Sequence, residues 1–78
     1  MSKKNDRTVY QRTDGKWVNK PNGGGESTFH DTQEAAILKA KRMLRSSGGG
    51  ELTIMGRDGK IRDKVTIWPG NDPFPPRG

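Results

Sequence analysis

The chain has no cysteine, a single histidine and very few aromatic residues (two Trp, two Phe and one Tyr in 78). Without cysteine there is no disulfide framework and no thiolate metal site. With His30 alone, no pair of imidazoles can grip a metal. His30 stands beside Asp31, a neighbour able to tune a general base. A catalytic constellation needs groups converging from separate elements, however, and no second member can be nominated. His30 reads as an exposed residue ahead of a helix cap. The chain reads as non-enzymatic, with no cofactor and no metal. Long apolar runs are also missing, so neither a membrane span nor a signal-peptide core is present. The polar start, Met1-Ser2-Lys3-Lys4, points to a cytoplasmic protein. Apolar residues make up only 27% of the chain and mean hydropathy is −1.06. A domain this small buries about 60% of its unfolded surface, so its core is thin.

Fifteen Lys and Arg stand against nine Asp and Glu, a net charge of +6. The excess is spread along the chain, +3 over residues 1–30, +2 over 31–47 and +1 over 48–78. There is no dense basic stripe. Such a protein is soluble and has some affinity for polyanions.

The apolar residues that are present are patterned. Asp14-Gly15 lies between two β-prone runs, residues 7–12 and 16–19, and is a strong hairpin signal. A two-residue loop there places Arg12 opposite Trp17 and Tyr10 opposite Asn19. Tyr10, Arg12 and Trp17 then share one face, and Val9, Gln11 and Val18 the other. Residues 20–25 form a loop: Pro21 donates nothing to a ladder and Gly23-Gly24-Gly25 resist regular structure. Residues 26–30 form either a short strand or an extended lead-in to a helix.

That helix is opened by Asp31 or Thr32. Asp31 as the cap makes Glu34 the partner of a capping box, with Phe29 placed to staple onto the first turns. Ala36, Ile37, Ala40, Met43 and Leu44 make one apolar stripe at helical spacing. Ser46-Ser47-Gly48-Gly49-Gly50 ends it, with glycine in the left-handed cap. A second hairpin follows over residues 51–57 and 60–67 around Asp58-Gly59. Its register pairs Leu52 with Val65 and Ile54 with Asp63. Asp63 on an apolar face is a conflict: either a β-bulge shifts the register there, the reading favoured here, or Asp63 is buried and paired with an arginine. The Gly runs are no phosphate loops, because no Lys-Ser/Thr follows them.

The expected fold is therefore α+β: a small antiparallel sheet from two β-hairpins with one packed helix (ββαββ). A flexible N-terminus covers residues 1–6, the domain 7–67, and a Pro-rich tail 68–78, folded back so that Phe74 covers an edge of the core. Both hairpin tips read Arg-(x)-Asp-Gly-Lys-apolar. Common hairpin chemistry explains this, as does a pseudo-symmetric unit.

Arg12-x-Asp14-Gly15-x-Trp17-Val18, Thr32-Gln33-Glu34-Ala35, and the segment Gly49-Gly50-Glu51-Leu52-x-Ile54-x-Gly56-Arg57-Asp58-Gly59-Lys60-Ile61-Arg62-Asp63 resemble a family of short bacterial and phage proteins classed as a domain of unknown function. The resemblance spans residues 7–67. It implies a compact ββαββ domain and no established activity, and it carries over no site residue. In outline the pattern is also similar to the strand–strand–strand–helix modules of phage integrases, an analogy of fold alone.

Two functional readings follow. One is a non-enzymatic module contacting nucleic acid, or another anionic partner, through Arg12, Lys16, Trp17, Arg57, Lys60 and Arg62 at the tips. The other is a protein-interaction or homodimerisation module that pairs through uncovered sheet edges. Neither involves a membrane.

Overall fold

The computed structural model describes residues 6–68. The proposed role of Phe74 lies outside them, as does most of the expected flexible N-terminus. Asp6, the described end of that segment, is tied down: its Oδ1 accepts from the Glu51 amide at 2.9 Å and its carbonyl from the Asn22 amide at 2.8 Å.

Five strands and one helix follow in the order β1 (Arg7–Gln11), β2 (Trp17–Pro21), β3 (Thr28–His30), α1 (Gln33–Ser46), β4 (Gly50–Met55) and β5 (Ile61–Ile67). The class is α+β, as expected. The sheet differs from expectation in two ways. Residues 28–30 are a strand, so there are five strands rather than four. The sheet is mixed: its order is β3-β2-β1-β4-β5, with β1 parallel to β4 (Val9 opposite Ile54) and every other pair antiparallel. A parallel neighbour needs a crossover, and β3 with α1 supplies it.

α1 packs on one face of the sheet. Ala36, Ala40 and Leu44, four residues apart, are fully buried. The two alanines let the helix sit close to the strands. Beneath it lie Val9, Trp17, Leu52, Ile54 and Ile67, with Ile37 and Val65 at the margin. The cap is Thr32, not Asp31: Thr32 is extended (φ −131°) and its Oγ1 accepts from the Ala35 amide at 3.1 Å. The capping box with Glu34 is therefore not formed, and Phe29, 56% exposed, does not staple the first turn. At the other end Gly48 takes φ +101° and the Gly49 amide donates to the Leu44 carbonyl at 2.7 Å, a Schellman closure.

The register of the first hairpin also differs. Gln11 faces Trp17, Tyr10 faces Val18 and Val9 faces Asn19. The loop has three residues, Thr13-Asp14-Gly15. The Gly15 amide donates to the Arg12 carbonyl and the Arg12 amide to the Lys16 carbonyl. The two-residue loop would need positive φ at Asp14, and among the described residues only glycines adopt it. One added loop residue shifts the register, so Trp17 joins Val9 and Gln11 on the helix side, while Tyr10 and Val18 face away.

The second hairpin keeps the expected pairs Leu52–Val65 and Ile54–Asp63, although its loop too has three residues, Arg57-Asp58-Gly59: Met55 pairs with Ile61, and the bulge at Arg62 offsets the extra loop residue and leaves Asp63 opposite Ile54. Asp63 stays exposed because β5 is an edge strand and α1 lies chiefly over β1 and β2. Both edges resist strand addition. β3 has three residues, and β5 is bulged and carries Arg62, Asp63 and Lys64.

A buried polar chain underlies the helix. Arg7, 8% exposed, donates from Nε to Asn19 Oδ1 at 2.6 Å and from a terminal nitrogen to the Glu26 carbonyl at 3.2 Å. Asn19 Nδ2 donates to Thr28 Oγ1 at 3.0 Å, and Thr28 Oγ1 meets His30 Nε2 at 2.8 Å. Burial lowers the Arg7 pKa from its ordinary value, because desolvation penalises the cation.

Candidate nucleic-acid interface

The parallel β1–β4 pair decides where the tips lie. Each hairpin turns after the C-terminal end of its first strand, and those two strands run the same way. Both tips therefore project from one end of the sheet. β3 is antiparallel to β2, so it too runs toward that end, and α1 begins there. Gln33 ties the helix start to the second hairpin, its Nε2 donating to the Met55 carbonyl at 3.1 Å.

A cavity of about 530 Å³ opens between these elements, lined by Trp17, Asp31, Thr32, Gln33, Gly56, Arg57, Asp58 and Arg62. His30 is not part of its wall. Gly56 leaves room for the Arg62 stem here: a Cβ on Gly56 would lie 2.6 Å from Arg62 Cδ and 3.0 Å from its Cγ. The bulge and the glycine together turn the arginine onto the helix side of the sheet.

The six candidate residues divide into three groups. Trp17 is 5% exposed and belongs to the core, touching the cavity only as part of its wall. Arg12 and Lys16 are exposed but engaged within the molecule. Arg12 meets Asp14 at 3.3 Å and its guanidinium stands 5.3 Å from the centre of the Phe29 ring. Lys16 forms an ion pair with Asp31. That hydrogen bond and its charge raise the Lys16 pKa and lower that of Asp31. Arg57, Lys60 and Arg62 are exposed and have no side-chain ion pair or hydrogen bond among the described residues. The basic character of this end therefore concentrates at the second tip.

Two features escaped the sequence reading. The Phe29 contact with Arg12 joins residues 17 apart through β2, and only the register of β3 reveals it. The Arg7–Asn19 chain left a fainter signal, an Asn at a helix-side position of a strand. Among the described residues no group of three or more His, Asp or Glu could hold a metal ion, and no helix is long and apolar enough to cross a membrane.

Residues 7–67 match the family model described as "Uncharacterized protein conserved in bacteria (DUF2188)". The match covers most of the chain, so the protein belongs to this bacterially conserved family. No match was found among curated proteins, and none among solved structures.

Proposed function

We propose that the protein is a non-catalytic binding module that contacts nucleic acid at the end carrying its two hairpin tips. One observation carries the reading. Parallel pairing of β1 and β4 gathers both tips, and at the second of them Arg57, Lys60 and Arg62 have cationic heads with no acidic partner among the described residues. Guanidinium and ammonium groups left free at the surface are ready donors for phosphate oxygens.

The test is titration of the ¹⁵N-labelled chain with duplex DNA and with RNA at low salt. The expected shifts centre on residues 56–62, with smaller ones at Arg12 and Lys16, whose charges are already engaged. Binding weakens with salt, and each of Arg57→Ala, Lys60→Ala and Arg62→Ala lowers the slope of log K against log salt by about 0.9. Shifts smeared over every Lys and Arg, or none at all, would reject this site.

A further inference from the structure

The sheet face turned away from α1 has an organisation of its own. Val18 lies between its register partners Phe29 and Tyr10. The parallel register, continued one step past Val9–Ile54, sets Tyr10 beside Met55, and Met55 pairs with Ile61. Phe29, Val18, Tyr10, Met55 and Ile61 thus form one apolar row crossing all five strands in sheet order. Val18 is buried within it, Tyr10 and Met55 are half-buried, and the ends are open, Phe29 at 56% and Ile61 at 59% exposure.

Cations flank the row. Arg12 stands over Phe29 on the tip side. On the other side the pairs Lys20–Thr8 and Thr53–Lys64 form the next row of the same face. Glu51, opposite Thr66, is the one acid among the strand residues of this face. This charge decides between occupants. Arg12 is paired with Asp14, so the unpaired charge of this face is carried by Lys20 and Lys64, and a second copy packed face to face would press four lysines together against two Glu51 carboxylates, which opposes association. Duplex nucleic acid keeps its bases stacked inside and offers the row nothing to stack on. A single strand offers both unstacked bases for Phe29 and Tyr10 and phosphates for Lys20 and Lys64.

We propose that this face binds single-stranded nucleic acid, with bases stacked along the Phe29–Tyr10 row and phosphates held by Lys20 and Lys64. The inference rests on the reading of the chain as a nucleic-acid binder and adds a strand preference and a second contact surface.

The experiment measures fluorescence anisotropy of labelled octathymidylate, octauridylate and a 12-base-pair duplex with the full 78-residue chain at low salt. Phe29→Ala is expected to weaken both single strands by roughly 5- to 150-fold, the range for losing one stacked base. It leaves duplex binding unchanged, and Phe29→Trp restores the single-strand affinity. Phe29 is exposed, so the variant folds; emission of the buried Trp17 and a thermal melt verify this. Unchanged single-strand affinity in Phe29→Ala, with binding lost in the triple Arg57→Ala/Lys60→Ala/Arg62→Ala variant, overturns this inference and leaves the tip reading standing. Absence of binding to all three probes overturns both. A dimer in sedimentation that dissociates on Phe29→Ala assigns the face to a second copy and also overturns it.

Discussion

Residues 12–16 and 56–60 close their hairpins in the same way. In each, the first amide donates to the lysine carbonyl, the glycine amide donates back to the first carbonyl, and the aspartate Oδ1 accepts from the lysine amide at 3.1 and 3.0 Å. Gly15 and Gly59 both take positive φ. Yet the residue after the first tip, Trp17, is 5% exposed, whereas Ile61 after the second is 59% exposed. The cause is an offset of one residue. β1 and β4 are in register at Val9–Ile54, but the first tip is closed by Gln11–Trp17, two residues on, and the second by Met55–Ile61, one residue on. With a side-chain period of two, the closing pairs fall on opposite faces. Local turn chemistry is thus indifferent to which face its flanking residue feeds.

The comparison can be broken most decisively at those flanking residues. Trp17→Ala should cost about 3–5 kcal/mol, which exhausts much of a small domain's stability. Ile61→Ala should stay within about 0.5 kcal/mol. Urea unfolding of both separates the two faces, and comparable losses would refute the assignment. Next in size is a difference in what is buried under each hairpin: a hydrogen-bonded arginine beneath the first, only apolar side chains beneath the second, where Arg62 and Asp63 stay exposed. Asn19→Leu leaves the Arg7 cation without its buried acceptor and should cost about 1.5–3 kcal/mol. Replacing Arg7 by Met in the same chain should recover part of that loss. A double-mutant cycle in urea reads the coupling, and strictly additive losses would show that the two side chains act independently.

The likeness of the tips is sharpened by glycine. At Gly15 and Gly59 an added Cβ meets nothing within 4 Å, so alanine there costs backbone strain alone, about 1–2 kcal/mol at each site. Unequal values in thermal melts would mean that the turns differ. Smallest is the exposed Lys16–Asp31 pair, which has no counterpart at the second tip. The Asp31 pKa is depressed, so its contribution is present above the ordinary carboxylate range and lost as pH falls through the folded value. The Lys16 pKa is raised, so its contribution is lost only at strongly alkaline pH. Asp31→Asn should give a slight loss near neutrality that vanishes in acid and in high salt, seen by comparing melts of the two proteins.

What could be read in advance was local in sequence. Ala36, Ala40 and Leu44 declared the helix face because a period of 3.6 needs no partner to be visible. Leu52–Val65 and Ile54–Asp63 are the pairs a two-residue second loop gives; the loop in fact has three residues, 57–59, and the pairs stand because the extra residue at Arg62 offsets it, which leaves Asp63 opposite Ile54. The first hairpin was misregistered because a two-residue and a three-residue loop both suit Asp-Gly, and the choice moves Trp17 from one face to the other. The repeated Arg-(x)-Asp-Gly-Lys pattern suggested grouping Arg57, Lys60 and Arg62 with Arg12 and Lys16, but that the two tips share one end of the sheet depends on β1 lying parallel to β4, which no local pattern shows.

By itself, then, the order of residues determined which segments bend, which coil and which extend, since capping, turn chemistry and hydrophobic period act over a few residues. The tertiary structure alone decided that two similar tips share one end, that only one of their flanking residues is buried, and that Phe29, Val18, Tyr10, Met55 and Ile61 line up on the sheet face turned away from the helix. Those outcomes turn on the pairing of strands some 45 residues apart, where the burial of Val9, Leu52 and Ile54 beneath a single helix selects one register among several that local rules allow.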